Sequence, residues 1–198
     1  MAEYFSFQSA LLFSITHIFI RRGLVHSNAL TGSVISLGTS AVIFWLLLVV
    51  LVPLSSLRNP GIGYFIAGGV FAPAIGQTLG YIGMERIGVA RAASIVNTSP
   101  IFSSILAVLF LGELWLFQNI VGTCLVILGV VILTSGKSAD RHWRKRDLVY
   151  PVLAAMVFGI STNLRKAGLT VVPEPLLAAA VTVATAFCAL LVIVRLRG

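Results

Sequence analysis

Long apolar runs separated by short polar stretches set the pattern of this chain. A membrane-crossing helix needs about 20 mostly apolar residues. Seven runs approach that length: residues 4–20, 32–53, 62–82, 89–111, 116–133, 148–164 and 176–194. The breaks hold turn chemistry, as in Arg58-Asn59-Pro60-Gly61 and Pro173-Glu174-Pro175. The pattern predicts an all-α, polytopic transmembrane helix bundle of about seven helices. The longest polar stretch, residues 135–147, reads SGKSADRHWRKRD.

That stretch divides the chain. A shift of 145 positions lays the start of the chain on its end without a gap. Ala10 then meets Ala155, Phe13 meets Phe158, Ile15 meets Ile160, and Gly23-Leu24 meets Gly168-Leu169, with Arg21 on Lys166. The shared basic-x-Gly-Leu exit is the least trivial part; apolar helices share some letters by coincidence. The pattern predicts a five-helix first repeat (1–136), a basic linker (137–147), and the first two helices of a second copy (148–198). Five is odd, so the second copy enters the membrane inverted, the plan of many secondary transporters with midplane solute sites.

Composition strengthens the membrane reading. Of 198 residues, 58% are hydrophobic and 10% charged, with a mean hydropathy of +1.03. Soluble domains carry roughly 25% charged residues, so lipid must solvate most of this surface. The net charge of +8 lies between the apolar runs, where it suits lipid headgroups and topology signals rather than nucleic acid. Cys124 and Cys188 fall inside apolar runs, with no His or Cys cluster beside them, so no metal, cofactor or disulfide framework is expected. The N-terminus lacks a basic signal-peptide region and is read as a retained helix. Loops alternate sides: eleven Lys and Arg collect on one side, including Arg21, Arg86 and the linker, against Arg58, Arg165 and Lys166 on the other. The positive-inside rule puts the eleven in the cytoplasm and the N-terminus outside.

One segment carries a family signature. Residues 86–134 read RIGVARAASIVNTSPIFSSILAVLFLGELWLFQNIVGTCLVILGVVILT. This resembles the EamA-type repeat of the drug/metabolite transporter superfamily. The matching features are Ala90, Ala92 and Ala93 at a helix entry, mid-helix Pro100, Leu111-Gly112-Glu113 at the exit, then Gln118, Gly122 and Gly129. The resemblance implies ten helices in two five-helix repeats, transport of small metabolites, often export, and an N-terminus inside, against the charge count. Measured on that plan, the chain stops at Gly198 two helices into the second repeat and reads as C-terminally truncated, a fragment or an incomplete product.

The candidate solute site follows from polar residues at membrane depth. Pro100 removes a backbone bond to Val96 and predicts a kink near Val96–Asn97, which either lines a cavity or is satisfied by local hydroxyls. Ser94, Asn97 and Ser104 approximate one face of that helix, and Gln77 and Tyr81 share a face of the third. Asn163, in the sixth run, joins them. Together they suit a neutral cavity for a polar or zwitterionic solute; singly, each suits interhelical hydrogen bonding. His17 reads as interfacial rather than as a proton carrier. Gly68, Ala72, Gly76 and Gly80, with Gly122 and Gly129, predict close helix packing. Glu113 is expected to fix a short loop.

The leading function is secondary transport, probing the lipid bilayer and a small-molecule solute as partners, in the plasma membrane, with no nucleic acid. A non-transporting assembly subunit, acting through a homo-oligomer or a complementary membrane chain, is the alternative. An intramembrane enzyme is disfavoured. Its nearest feature, Gly159-Ile160-Ser161, lacks the final Gly of a nucleophile elbow, and His17, His26 and His142 are scattered.

Overall fold

The computed structural model describes residues 2–112, 117–135 and 144–197. Glu113 lies outside the described residues, as does most of the basic linker. The described residues form seven helical segments and no strand: α1 (Ala2–Val25), α2 (Ala29–Leu51), α3 (Ile62–Ile87), α4 in two pieces (Val89–Val96 and Ser99–Leu111), α5 (Phe117–Ser135), α6 (Val149–Val171) and α7 (Pro175–Arg197). Five of these (α2, α3, α4, α6 and α7) are long and apolar enough to cross a bilayer. Among the described residues this is a polytopic helical bundle.

Several helices outrun their apolar stretches. α1 continues to Val25, α3 to Ile87 and α6 to Val171. Hydropathy marks the hydrocarbon core, whereas helices continue through the headgroup layer until a cap stops them. The caps are visible in the sequence. Asn28 Oδ1 accepts from Thr31 N at 2.8 Å and starts α2. Gly88, at φ 89°, ends α3 and turns the chain into α4. Gly112, at φ 66°, closes α4 in the left-handed conformation.

α3 is the axis of the bundle. It touches α2, α4, α6 and α7. Small residues set these crossings, because lipid is as apolar as a leucine side chain and close van der Waals packing must hold the helices together. A Cβ at Gly76 would lie 3.3 Å from the Phe158 ring, and one at Gly83 would lie 3.0 Å from Pro151, both on α6. Gly69 abuts the Thr182 carbonyl of α7, and Gly168 abuts the ring of Phe65, which is fully buried. Ala72 is buried in the same helix. Gly80 is looser, with only Val96 near at 3.8 Å. Gly122 and Gly129 of α5 meet nothing within 4 Å, so the close packing expected of them is not made among the described residues.

Three apolar clusters stack along this axis. Leu48, Val52, Phe65, Val172 and Leu177 close one end. Leu37, Ala74, Ala186 and Leu190 fill the middle. Ala29, Tyr81, Met84, Ile87 and Ala92 close the other, with Ile20 and Leu24 of α1 against them. Elsewhere α1 is bare: Phe7, Leu12 and Phe19 are each about two-thirds exposed, a surface that only lipid or another membrane helix can solvate.

α3 is not a regular helix. Residues Val70–Gly76 form a π-helical turn around Pro73. Proline has no N–H, so a carbonyl one turn earlier loses its donor. One hydroxyl from a neighbouring helix meets a carbonyl five residues before the proline: Ser161 Oγ donates to Gly68 O at 2.9 Å. A second, Thr182 Oγ1, donates to Phe65 O at 3.3 Å in the regular turn before it. Hydroxyl rescue from an adjacent helix is what allows proline inside a membrane span. The same argument that singles out Pro100 applies to Pro73, which the sequence reading passes over.

Candidate solute site

The predicted polar residues do not converge on one point. They separate into a tight helix crossing and an open layer. Asn163 belongs to the crossing. Its Nδ2 donates to Ser103 O at 2.9 Å, Ser103 Oγ at 3.1 Å and Gly159 O at 3.0 Å. A Cβ at Gly159 would lie 2.8 Å from Phe102 Cβ and 2.9 Å from Ser103 N, so α6 and α4 touch backbone to backbone there. The amide hydrogens of Asn163 are spent joining two helices. Ser94 is buried and donates to Ala90 O of its own helix at 2.7 Å.

The layer is built from the other candidates. Gln77 Nε2 donates to Tyr81 Oη at 3.2 Å, and the same phenol hydrogen-bonds Ser36 of α2. Both α3 residues are one turn apart, as their spacing predicts. α4 opens next to them. The helix stops at Val96, passes through Asn97-Thr98, and resumes at Ser99 with Pro100 in the first turn, where a missing N–H costs nothing. Thr98 Oγ1 donates to Ile95 O at 2.7 Å, so a local hydroxyl tends one loose carbonyl. Val96 abuts α3 at Gly80, one turn from Gln77. Asn97 and Pro100 are exposed, and Ser104 is half-buried on the next turn.

A charged clamp lies outside this layer, where α3 meets the turn before α6. Arg86 Nη1 bonds Asp147 Oδ1 at 3.0 Å, and the guanidinium sits 4.6 Å over the Tyr150 ring. Asp147 Oδ2 also accepts from Arg144 N at 3.2 Å. The Arg86 guanidinium, by hydrogen bond first, holds the Asp147 carboxyl below its ordinary range, with the Arg144 amide helping. The sequence reading missed this pair because its members are 61 residues apart.

Long apolar helices, five of them able to cross a bilayer, define a multi-pass membrane protein. The family model for the EamA-like transporter family matches residues 1–135. The chain therefore belongs to that family, and is a membrane transporter of the drug/metabolite kind. No curated protein and no solved structure matches the chain.

Proposed function

We propose that the chain acts in the plasma membrane as a secondary transporter, exporting small metabolites or drug-like solutes by alternating access between two inverted repeats. The carrying observation is the opening of α4 at Asn97-Thr98 beside the Gln77–Tyr81 pair. Polar side chains at membrane depth are costly, and an exposed Asn97 there is best explained by a solute path. Gln77, Tyr81, Asn97, Pro100 and Ser104 are the lining residues we favour, with Ser94 behind them and Asn163 fixing the α4–α6 crossing. This work involves no covalent chemistry by the protein: the Ser161 hydroxyl hydrogen is committed to Gly68 O.

Solute efflux from vesicles carrying the purified chain tests the proposal. Efflux above that of empty vesicles for some member of a broad metabolite panel, reduced in Asn97→Ala, is the expected result. Identical fluxes across the panel would sink it.

One observation favours a partner in the membrane. α6, the counterpart of α1 under the internal repeat, is enclosed by α3 and α4, whereas α1 is held lightly, by α2 and by the packing of Ile20 and Leu24 on the cluster around Tyr81. A complementary membrane chain or a second copy covering α1 would give it equal enclosure.

A further inference from the structure

The start of α6 carries two exposed surfaces, one basic and one apolar, one following the other along the chain. The basic surface is the turn that leads into the helix. Arg144, Lys145 and Arg146 are exposed there, and Asp147 is buried. The carboxylate of Asp147 holds the turn in shape. Its Oδ2 accepts from Arg144 N at 3.2 Å, and its Oδ1 accepts from Arg86 of α3 at 3.0 Å. The one acid of the turn is therefore already paired from another helix, beside three consecutive cations.

The apolar surface runs on from there along α6. Val149, Val152, Leu153 and Met156 are each 38–49% exposed. Their spacing of three and four residues puts them on one face. The other face is small and buried: Pro151, Ala154, Ala155 and Gly159. Pro151 lies against Gly83 of α3, and Gly159 against Phe102 and Ser103 of α4. α6 has 23 residues and is about 34 Å long, slightly more than the hydrocarbon core of about 30 Å. Its first turn thus falls at the headgroup boundary, and the basic turn before it falls in the headgroup layer.

We infer that this corner is a binding site for an anionic phospholipid, with the phosphate on the Arg144–Lys145–Arg146 turn and the acyl chains along Val149, Leu153 and Met156. A single molecule of that kind matches both surfaces in the order in which they occur. A soluble phosphate would satisfy the cations and leave the apolar face without a solvent. A zwitterionic headgroup brings an ammonium as well, and the carboxylate that could receive it is engaged by Arg86. The positive-inside rule assigns this face to the cytoplasm, where the leaflet carries anionic lipid and basic segments next to a span are drawn to it. Other cations of the same face are placed differently. Arg91 is buried and Arg86 is held by Asp147, while Arg21 and Arg22 are two residues on the lightly held α1. The lipid site is independent of the solute reading. Because the same turn carries the Arg86–Asp147 clamp, a bound headgroup also steadies the junction between α3 and α6.

Native mass spectrometry of the full chain released from detergent micelles, titrated with phosphatidylglycerol or phosphatidylcholine, tests the site. The wild type should take its first phosphatidylglycerol about tenfold more tightly than phosphatidylcholine. Arg144→Gln combined with Lys145→Gln and Arg146→Gln should abolish that preference, with Asp147 and the clamp left in place. Arg21→Gln combined with Arg22→Gln also removes charge from the basic face, and should keep the preference. No preference in the wild type, a preference untouched by the triple change, or an equal loss in both variants would mean diffuse attraction at most, and would overturn the inference. Glycerol phosphate carries the same phosphate without acyl chains. It should fail to displace bound phosphatidylglycerol; displacement would refute the lipid assignment in favour of a free phosphate.

Discussion

At the scale of single residues, backbone approach decides which positions tolerate change. Gly69 and Gly63 are both in α3, six residues apart, and both lack a side chain. Gly69 is buried against the Thr182 carbonyl of α7, which belongs to a helix backbone and cannot swing aside; Gly63 meets nothing within 4 Å. Gly69→Ala should therefore destabilise the bundle by about 1–3 kcal/mol, the usual cost of overpacking. Gly63→Ala should be neutral or slightly stabilising. Denaturant titration in detergent micelles, followed by helical circular dichroism, separates the two. The spacing of Gly68, Ala72, Gly76 and Gly80 was readable as a close-packed ridge, and its upper part does lie against α6. The partner helix was not readable, because crossings depend on which helices become neighbours. For the same reason Gly122 and Gly129, alike in the sequence, meet nothing within 4 Å among the described residues. Asn163 shows the reverse case: its polarity and depth were visible, but only the approach of Ser103 shows that its hydrogens are already used.

At the scale of elements, two devices join segments that the chain keeps far apart. The first is the Arg86–Asp147 clamp between α3 and the turn before α6. The Asp147 carboxyl is mostly covered while Arg86 is half-exposed. Its folded-state pKa lies below the unfolded value of about 3.9. Its contribution to stability is accordingly complete above that value, and is lost as pH falls through the lowered folded value. Asp147→Asn should lower the melting temperature at pH 7 and leave the melts of variant and wild type converging in acid below about pH 3. Equal melting at pH 7 would show that the clamp contributes nothing. The second device is the break in α4. Pro100→Ala restores a donor toward Val96 and lets α4 run straight, which withdraws Asn97 from the layer. Solute efflux should then fall about tenfold, the worth of one well-aimed hydrogen bond to solute, with helicity kept or raised. The break was legible because proline in an apolar run has one meaning. The π-turn at Pro73 was equally legible in principle. What could not be read was its rescue by Ser161, which comes from a helix 88 residues further along the chain.

At the scale of the whole molecule, the open question is which way it sits in the membrane, and the structure sharpens the charge argument. The helix count leaves the sides as the hydropathy pattern assigns them: the turns at His26 and Gly88 lie on one side, and Arg58 and Pro173 on the other. The first side collects eleven basic residues and the second three. Lys and Arg near span ends are retained in the cytoplasm during insertion, and they gain there from anionic lipid. The bundle should therefore sit with the N-terminus and Arg58 outside and His26 inside, against the orientation that the family resemblance implies. In a background lacking Cys124 and Cys188, Arg58→Cys should react with a membrane-impermeant maleimide on intact cells, and His26→Cys only after permeabilisation. The reverse pattern, or labelling of both in intact cells, would refute the assignment. The outcome also fixes the route to the polar layer. That layer is about 10–15 Å from the basic side by helix rise, so with the basic side inside, Gln77 and Asn97 are reached from the cytoplasm past the face that carries most of the Lys and Arg. A solute entering there must pass positive charge before meeting a neutral layer, which favours neutral or zwitterionic cargo over cations.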